Sequence, residues 1–264
     1  MHDPHDQVAE AGRDAVHPAA LAAALRGLEL FGDDPYLSMQ ATNLGMVDVF
    51  CSGLEDDLRH LNAVQDGTPV LEAAFLSAQS QMWMFAVYEA LRTWRERARK
   101  VITWAQNRHL AERVEALKED LGYLHTNRLM RATQLEQVLA DPDRLVALEA
   151  DLRRNYILFS QLDFLRTSLA KHEVKGKKNS IAFAPGYGRI NLWTGAIDFE
   201  LSTGRVILGT LNRRQVADAI RAMSQNPPPP QSELAAFDAA MSAAAQSEAD
   251  LDWPPVVAPT GPIA

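Results

Sequence analysis

Apolar residues recur at spacings of three and four from Pro18 to about Leu169, the mark of helices with one buried face. Leu21, Leu25 and Leu28 open the pattern, with Pro18 suited to a first helical turn and Gly32 to a helix end. Asp33, Asp34 and Pro35 break the chain, and a second helix is predicted from Tyr36 or Leu37 to His60. The stretch "QDGTP" at 65–69 is the next break, Thr68 offering an N-cap and Pro69 a first turn. In the long helix that follows, Leu71, Phe75, Ala78, Met82 and Phe85 form a stripe expected to face inward, and Leu91, Trp94, Ala98 and Val101 continue it. Arg92, Arg95 and Arg99 share another, solvated face, and Trp83, Trp94 and Trp104 read as core or interface anchors. Leu110, Val114, Leu117, Leu121 and Leu124 alternate like the seam of a short helical hairpin. After "ADPD" at 140–143, Leu145, Leu148, Leu152, Phe159, Leu162, Leu165 and Leu169 mark one final long helix, so residues 18–175 read as a bundle of five or six helices.

At Gly176 the period changes from about 3.6 to 2. "SIAFAP", "RINLWTG" and "AIDFELSTGRVILGTL" predict three or four short strands: Ile197, Phe199 and Leu201 alternate with Asp198 and Glu200, and Ser202-Thr203-Gly204 gives a hairpin turn. "NRRQVADAIRAM" then predicts a helix in which Asn212 and Gln215 stand in capping-box relation and Val216, Ile220 and Met223 face inward. So small a sheet needs that helix or the bundle as a cover. The fold class expected is α+β, mostly α: a disordered start (1–17), a helical bundle (18–175), a small antiparallel sheet with a covering helix (176–225), and a Pro/Ala-rich, largely disordered tail (226–264) in which Glu233 to Gln246 can form a loosely held helix.

Charge changes this picture. The net charge is −8, but residues 92–131 hold ten Lys and Arg against five acids, and residues 166–221 hold ten against four. Two basic blocks in an acidic chain fit an anionic partner such as RNA, and fit equally well an internal pairing of acidic and basic surfaces. Arg213 and Arg214 carry this further, because positive charge in the first turn of a helix opposes the macrodipole and needs an acid nearby. That acid is either internal, from Glu200 or the acidic N-terminal bundle, or a ligand phosphate. With Lys171, Lys175, Lys177, Lys178, Arg189 and Arg205, these arginines would form one anion-binding face.

Other chemistry is narrowed by what the chain lacks. The single cysteine, Cys51, excludes an internal disulfide or a multi-cysteine metal site and reads as a small buried apolar residue. No phosphate-binding glycine loop occurs, and the histidines show no zinc-protease spacing, so no cofactor and no metal are expected. Acids in "GLEDDL" read as a solvated helix face. The longest uncharged run, Ala73 to Tyr88, is too short and polar to span a bilayer, and the acidic start "MHDPHDQVAEAGRDA" does not read as an export signal; the expected location is the cytoplasm, with no membrane contact.

One segment resembles a known family. Arg166-Thr167-Ser168-Leu169-Ala170-Lys171-His172 sets an arginine and a histidine with five residues between them near a helix end, which resembles the Arg-x4–6-His signature of HEPN domains, helical modules many of which are metal-independent ribonucleases of toxin and anti-phage systems. Thr167 stands where family members commonly place Asn or Asp. The resemblance implies that His172 would move a proton at an RNA 2′-hydroxyl or leaving oxygen while Arg166 stabilises the phosphorane, and that a homodimer brings them together. On one straight helix the two side chains stand roughly 120° apart. The alternative assigns Lys171 and His172 to the ordinary stabilisation of a helix C-terminus and Arg166 to a pair with Asp163. Three functional classes follow: an interaction or regulatory protein whose basic C-terminal module contacts an anionic partner, a HEPN-like ribonuclease, and a purely structural homo-oligomer.

Overall fold

The structure, a computed structural model, describes residues 17–64, 69–122, 125–171, 188–202 and 207–246. Among these residues the helices are α1 (Pro18–Arg26), α2 (Pro35–Val64), α3 (Val70–Gln106), α4 (Leu110–Lys118), α5 (His125–Ala140), α6 (Asp143–Arg154) and α7 (Tyr156–Lys171). Strands β1 (Gly188–Ile190), β2 (Ile197–Ser202) and β3 (Ile207–Leu211) follow, then α8 (Arg213–Ala222) and α9 (Gln231–Gln246). The fold is α+β and mostly α.

Helix α3 runs through the middle of the molecule, touching α2, α7, α6, α8 and β2. Its buried side carries Leu76, Trp83, Met84, Val87, Leu91, Trp94, Ala98 and Val101. Trp83 and Trp94 are core anchors as expected, and each indole N–H reaches a backbone carbonyl, Leu44 at 2.9 Å and Glu29 at 2.8 Å. These bonds tie α3 to α2 and to the α1–α2 connection. The sheet has the order β1-β2-β3, antiparallel throughout, with Phe199 opposite Gly188 and Leu211. Ile197, Phe199 and Leu201 turn inward while Asp198 and Glu200 stay half-buried, as the alternation predicts. The capping box of α8 forms from Asn212 and Gln215.

Four expectations need correction. The stripe Leu71, Phe75, Ala78 and Met82 faces out, with Leu71 81% and Met82 65% exposed; the buried stripe is one helical position over, at Leu76, Ser80 and Trp83. Arg95 is not on a solvated face but 2% exposed, its guanidinium 4.6 Å from the Phe159 ring centre and bonded to Asn155 Oδ1 and the Leu152 carbonyl. Burial lowers its pKa to about 10. The final long helix is two helices, α6 and α7, broken at Asn155, whose buried side chain bonds back to the Asp151 carbonyl at 2.7 Å while also meeting Arg95. The seam from Leu110 to Leu124 stops early: Leu110 and Val114 are buried, α4 ends at Lys118 and Leu121 is exposed, so α5 supplies the partner face through Ala132, Leu135 and Val138. Leu124 lies outside the described residues.

The tail is not wholly loose either. Helix α9 is pinned by the Tyr156 hydroxyl on Asp238, by an edge contact of Phe237 with the Tyr156 ring, and by buried Leu234.

Candidate functional site

The acidic partner that Arg213 requires is internal. On α2, Leu44, Asp48, Cys51, Glu55 and Leu58 follow the four-three spacing of a buried stripe, so two acids occupy core positions. Arg213, 1% exposed, projects from the first turn of α8 onto them: its Nε and Nη2 each lie 2.7 Å from a Glu55 carboxylate oxygen, a bidentate fork, and its Nη1 donates to Asp48. Ser52 Oγ accepts at 3.0 Å, and the Trp83 ring lies 5.6 Å from the guanidinium carbon. Arg214 Nε lies 2.9 Å from Glu55, and Arg221, two turns further along α8, reaches the other Asp48 oxygen. Burial pushes the Asp48 carboxyl up from its ordinary value, against the pull of Arg213 and Arg221. Burial also opposes the charge on Arg213, but Glu55 and Asp48 outweigh it and hold the guanidinium charged. Burial pushes the Cys51 thiol up to about 11, in keeping with its expected role as a small core residue.

Of the arginines expected on an anion-binding face, Arg213 is drawn into the core, while Arg189 and Arg214 pair with carboxylates nearer the surface. Arg213 is inside, Arg214 pairs with Glu55 and sits 3.5 Å from Asp56, and Arg189 lies 3.3 Å from Glu200. The first-turn charge of Arg213 and Arg214 is met by Glu55 of the same chain. Arg166 is half-buried with Glu89 at 3.6 Å and the Tyr88 ring 5.1 Å from its guanidinium carbon. Lys171 closes α7. His172, Lys175, Lys177, Lys178 and Arg205 lie outside the described residues, as does the strand expected in "SIAFAP".

Sequence reasoning missed the two features that stand out. One is the pair of acids on the buried stripe of α2, whose signal was their register with Leu44 and Leu58 rather than their composition. The other is an outward apolar surface. Helices α2 and α3 form an antiparallel hairpin, and opposite its buried side Met39, Met46, Val47 and Phe50 on α2 and Leu71, Phe75 and Met82 on α3 are all exposed. Between Pro35 and Leu54 the only charged residue is Asp48, which is buried, and between Ala73 and Tyr88 there is none. The outer side of the hairpin is thus apolar and nearly free of charge over much of both helices. Among the described residues no group of three or more His, Cys, Asp or Glu is placed to hold a metal ion, and no helix is long and apolar enough to cross a membrane. No family model matches the chain, and neither a curated protein nor a solved structure is significantly similar to it.

Proposed function

We propose that this protein is an interaction protein that assembles with a second copy of itself through the outer face of the α2/α3 hairpin. The observation that carries the reading is the exposed, charge-poor stripe of Met39, Met46, Phe50, Leu71, Phe75 and Met82. Large exposed apolar side chains gathered on the outer sides of two adjacent helices mark an association site. At roughly 100 Å² from each half-exposed side chain, the face approaches the ~800 Å² per partner of a standard interface. Charge selects the occupant. Two copies carrying −8 each repel through most of their surfaces, and this face is where they can meet without opposing like charges. Two hairpins packed about a two-fold axis would form a four-helix layer, an arrangement that buries apolar stripes on both partners at once.

The companion expectation of RNA binding draws no support from Arg213 and Arg214, whose charges are met inside the fold. The ribonuclease expectation rests on Arg166, engaged by Glu89 and Tyr88, together with His172; cleavage of single-stranded RNA in EDTA that is lost in His172→Ala would be required to sustain it.

Sedimentation equilibrium tests the assembly directly. The wild-type chain is expected at twice its 29.2 kDa mass at micromolar concentration, and Phe75→Asp with Met82→Asp at 29.2 kDa, with unchanged helical circular dichroism because both side chains are exposed. Two carboxylates forced into an apolar contact should weaken association at least about 100-fold. A wild-type monomer at those concentrations, or a double variant that remains dimeric, rejects the reading.

A further inference from the structure

A cleft of about 310 Å³ opens where the start of α2 meets α3 and α5, away from the ionic joint. Its walls are Asp34, Pro35 and Tyr36 from the entry to α2, Arg97 from α3, and Asn127, Met130, Arg131 and Gln134 from α5. Asp34 is held in place: one oxygen caps α2 by accepting the backbone N–H groups of Tyr36 and Leu37, each at 3.0 Å, and the other accepts from Arg97. Arg131 has no such partner. Among the described residues its one hydrogen bond goes to the side-chain amide oxygen of Gln134 at 2.7 Å, and it forms no ion pair with a carboxylate. Most of its N–H donors are left over in a cleft that already contains a second guanidinium. Across the opening, the Tyr36 hydroxyl and the Asn127 amide meet at 3.3 Å, adding neutral groups that can donate or accept.

The charge balance in this cleft is two arginines against one carboxylate. We infer that the cleft between Arg97 and Arg131 is a binding site for a small oxyanion, a carboxylate or a phosphate, seated on the free fork of Arg131. The guanidinium fork matches two oxygens of either group, and the site volume is at the lower end of small-molecule sites. Burial and the neighbouring Arg97 both push the Arg131 pKa down, with Asp34 opposing, and a bound anion would favour the charged guanidinium. The proposal is independent of self-association, since the cleft residues on α3 and α5 lie outside the stripe assigned to that contact.

Thermal unfolding in matched ionic strengths of sodium chloride, sodium acetate and inorganic phosphate provides the test. The wild-type midpoint should rise by roughly 2–4 °C in one or both oxyanions relative to chloride, the shift expected when a ligand of modest affinity binds only the folded chain. Arg131→Gln removes the unpaired charge, should fold with a midpoint in chloride at least equal to wild type, and should lose the oxyanion shift. Arg131→Lys keeps the charge without the fork and should retain a fraction of the shift, so a folding failure of one variant leaves the other to decide. A response to phosphate alone identifies a phosphoryl ligand, and a response to acetate a carboxylate. Equal midpoints in all three salts, or the same oxyanion shift in wild type and both variants, overturn the assignment.

Discussion

Arg213→Met is expected to lower the stability of the fold by about 3–5 kcal/mol, because it leaves Asp48 and Glu55 buried with their principal counter-ion gone. The side chain itself is of suitable size and apolar, so the loss reflects the stranded carboxylates rather than a cavity. Arg214 and Arg221 remain, each bonded to one of the acids, which keeps the expected cost below that of two fully isolated charges. The loss should depend on pH with a definite sign. Asp48 binds its proton at higher pH in the folded chain than in the unfolded one, since burial raises its folded value. Between the ordinary aspartate range and that raised value the folded state holds more protons, and the contribution of this group to stability falls as pH rises through the window. Removing Arg213 takes away a charge that pulls Asp48 down, so the window widens upward in the variant. Urea unfolding should therefore show a larger deficit at pH 8 than at pH 5. Combining Arg213→Met with Asp48→Asn and Glu55→Gln should recover much of the loss, as replacing a whole buried ionic group commonly does. A single-variant deficit below about 1 kcal/mol would mean that the joint is not closed as the geometry requires.

This joint also explains which parts of the fold were legible. Where burial follows the helical period and nothing polar competes, the pattern suffices: Leu21 and Leu25, the tryptophans 83 and 94, and the alternating β2 residues all sit where periodicity puts them, whereas α1 ends at Arg26 with Gly27 as its cap rather than at Gly32, and Leu28 is buried in the connection that follows. The stripe at Leu71, Phe75 and Met82 failed for a physical reason. A helix that is apolar on two sides has two consistent inward faces, and only the packing of α2, with Leu44 at Trp83, selects one. Asp48, Glu55 and Arg95 failed for the complementary reason: each is a charged residue in a buried register, compensated by groups distant in sequence. The break at Asn155 depends on a side chain bonding to its own helix and to Arg95, which no local propensity encodes. The first-turn placement of Arg213 and Arg214 did signal an unmet need for an acid, and the choice between an internal acid and a ligand was decided by α2.

Gly195→Ala is expected to destabilise the protein by about 3 kcal/mol or more, although it adds a single methyl group. Gly195 closes the turn between β1 and β2 with φ +73°, in the left-handed region. Its N–H donates to the Asn191 carbonyl at 2.7 Å, and Asn191 in turn accepts from Trp193 and Thr194 through its side chain, so the turn cannot easily relax into another shape. Conformation alone costs an alanine roughly 1–2 kcal/mol there. Space costs more: a Cβ would stand 1.8 Å from the Glu55 carbonyl oxygen and 2.7 Å from its carbon, with Arg59 Cβ at 3.1 Å. The obstacle is helix backbone, which cannot swing aside as a flexible side chain would, so the turn must lift away from α2. Lifting it disturbs Glu55, the residue that holds the Arg213 fork, and the loss should propagate to the seating of α8. Hydrogen exchange of the segments covering 188–202 and 213–222 should accelerate together in the variant, while the α4/α5 hairpin, which lies elsewhere, keeps wild-type protection. Unchanged exchange in both segments with a wild-type melting temperature would show that the turn does not press on α2, and would separate the sheet from the ionic joint beneath it.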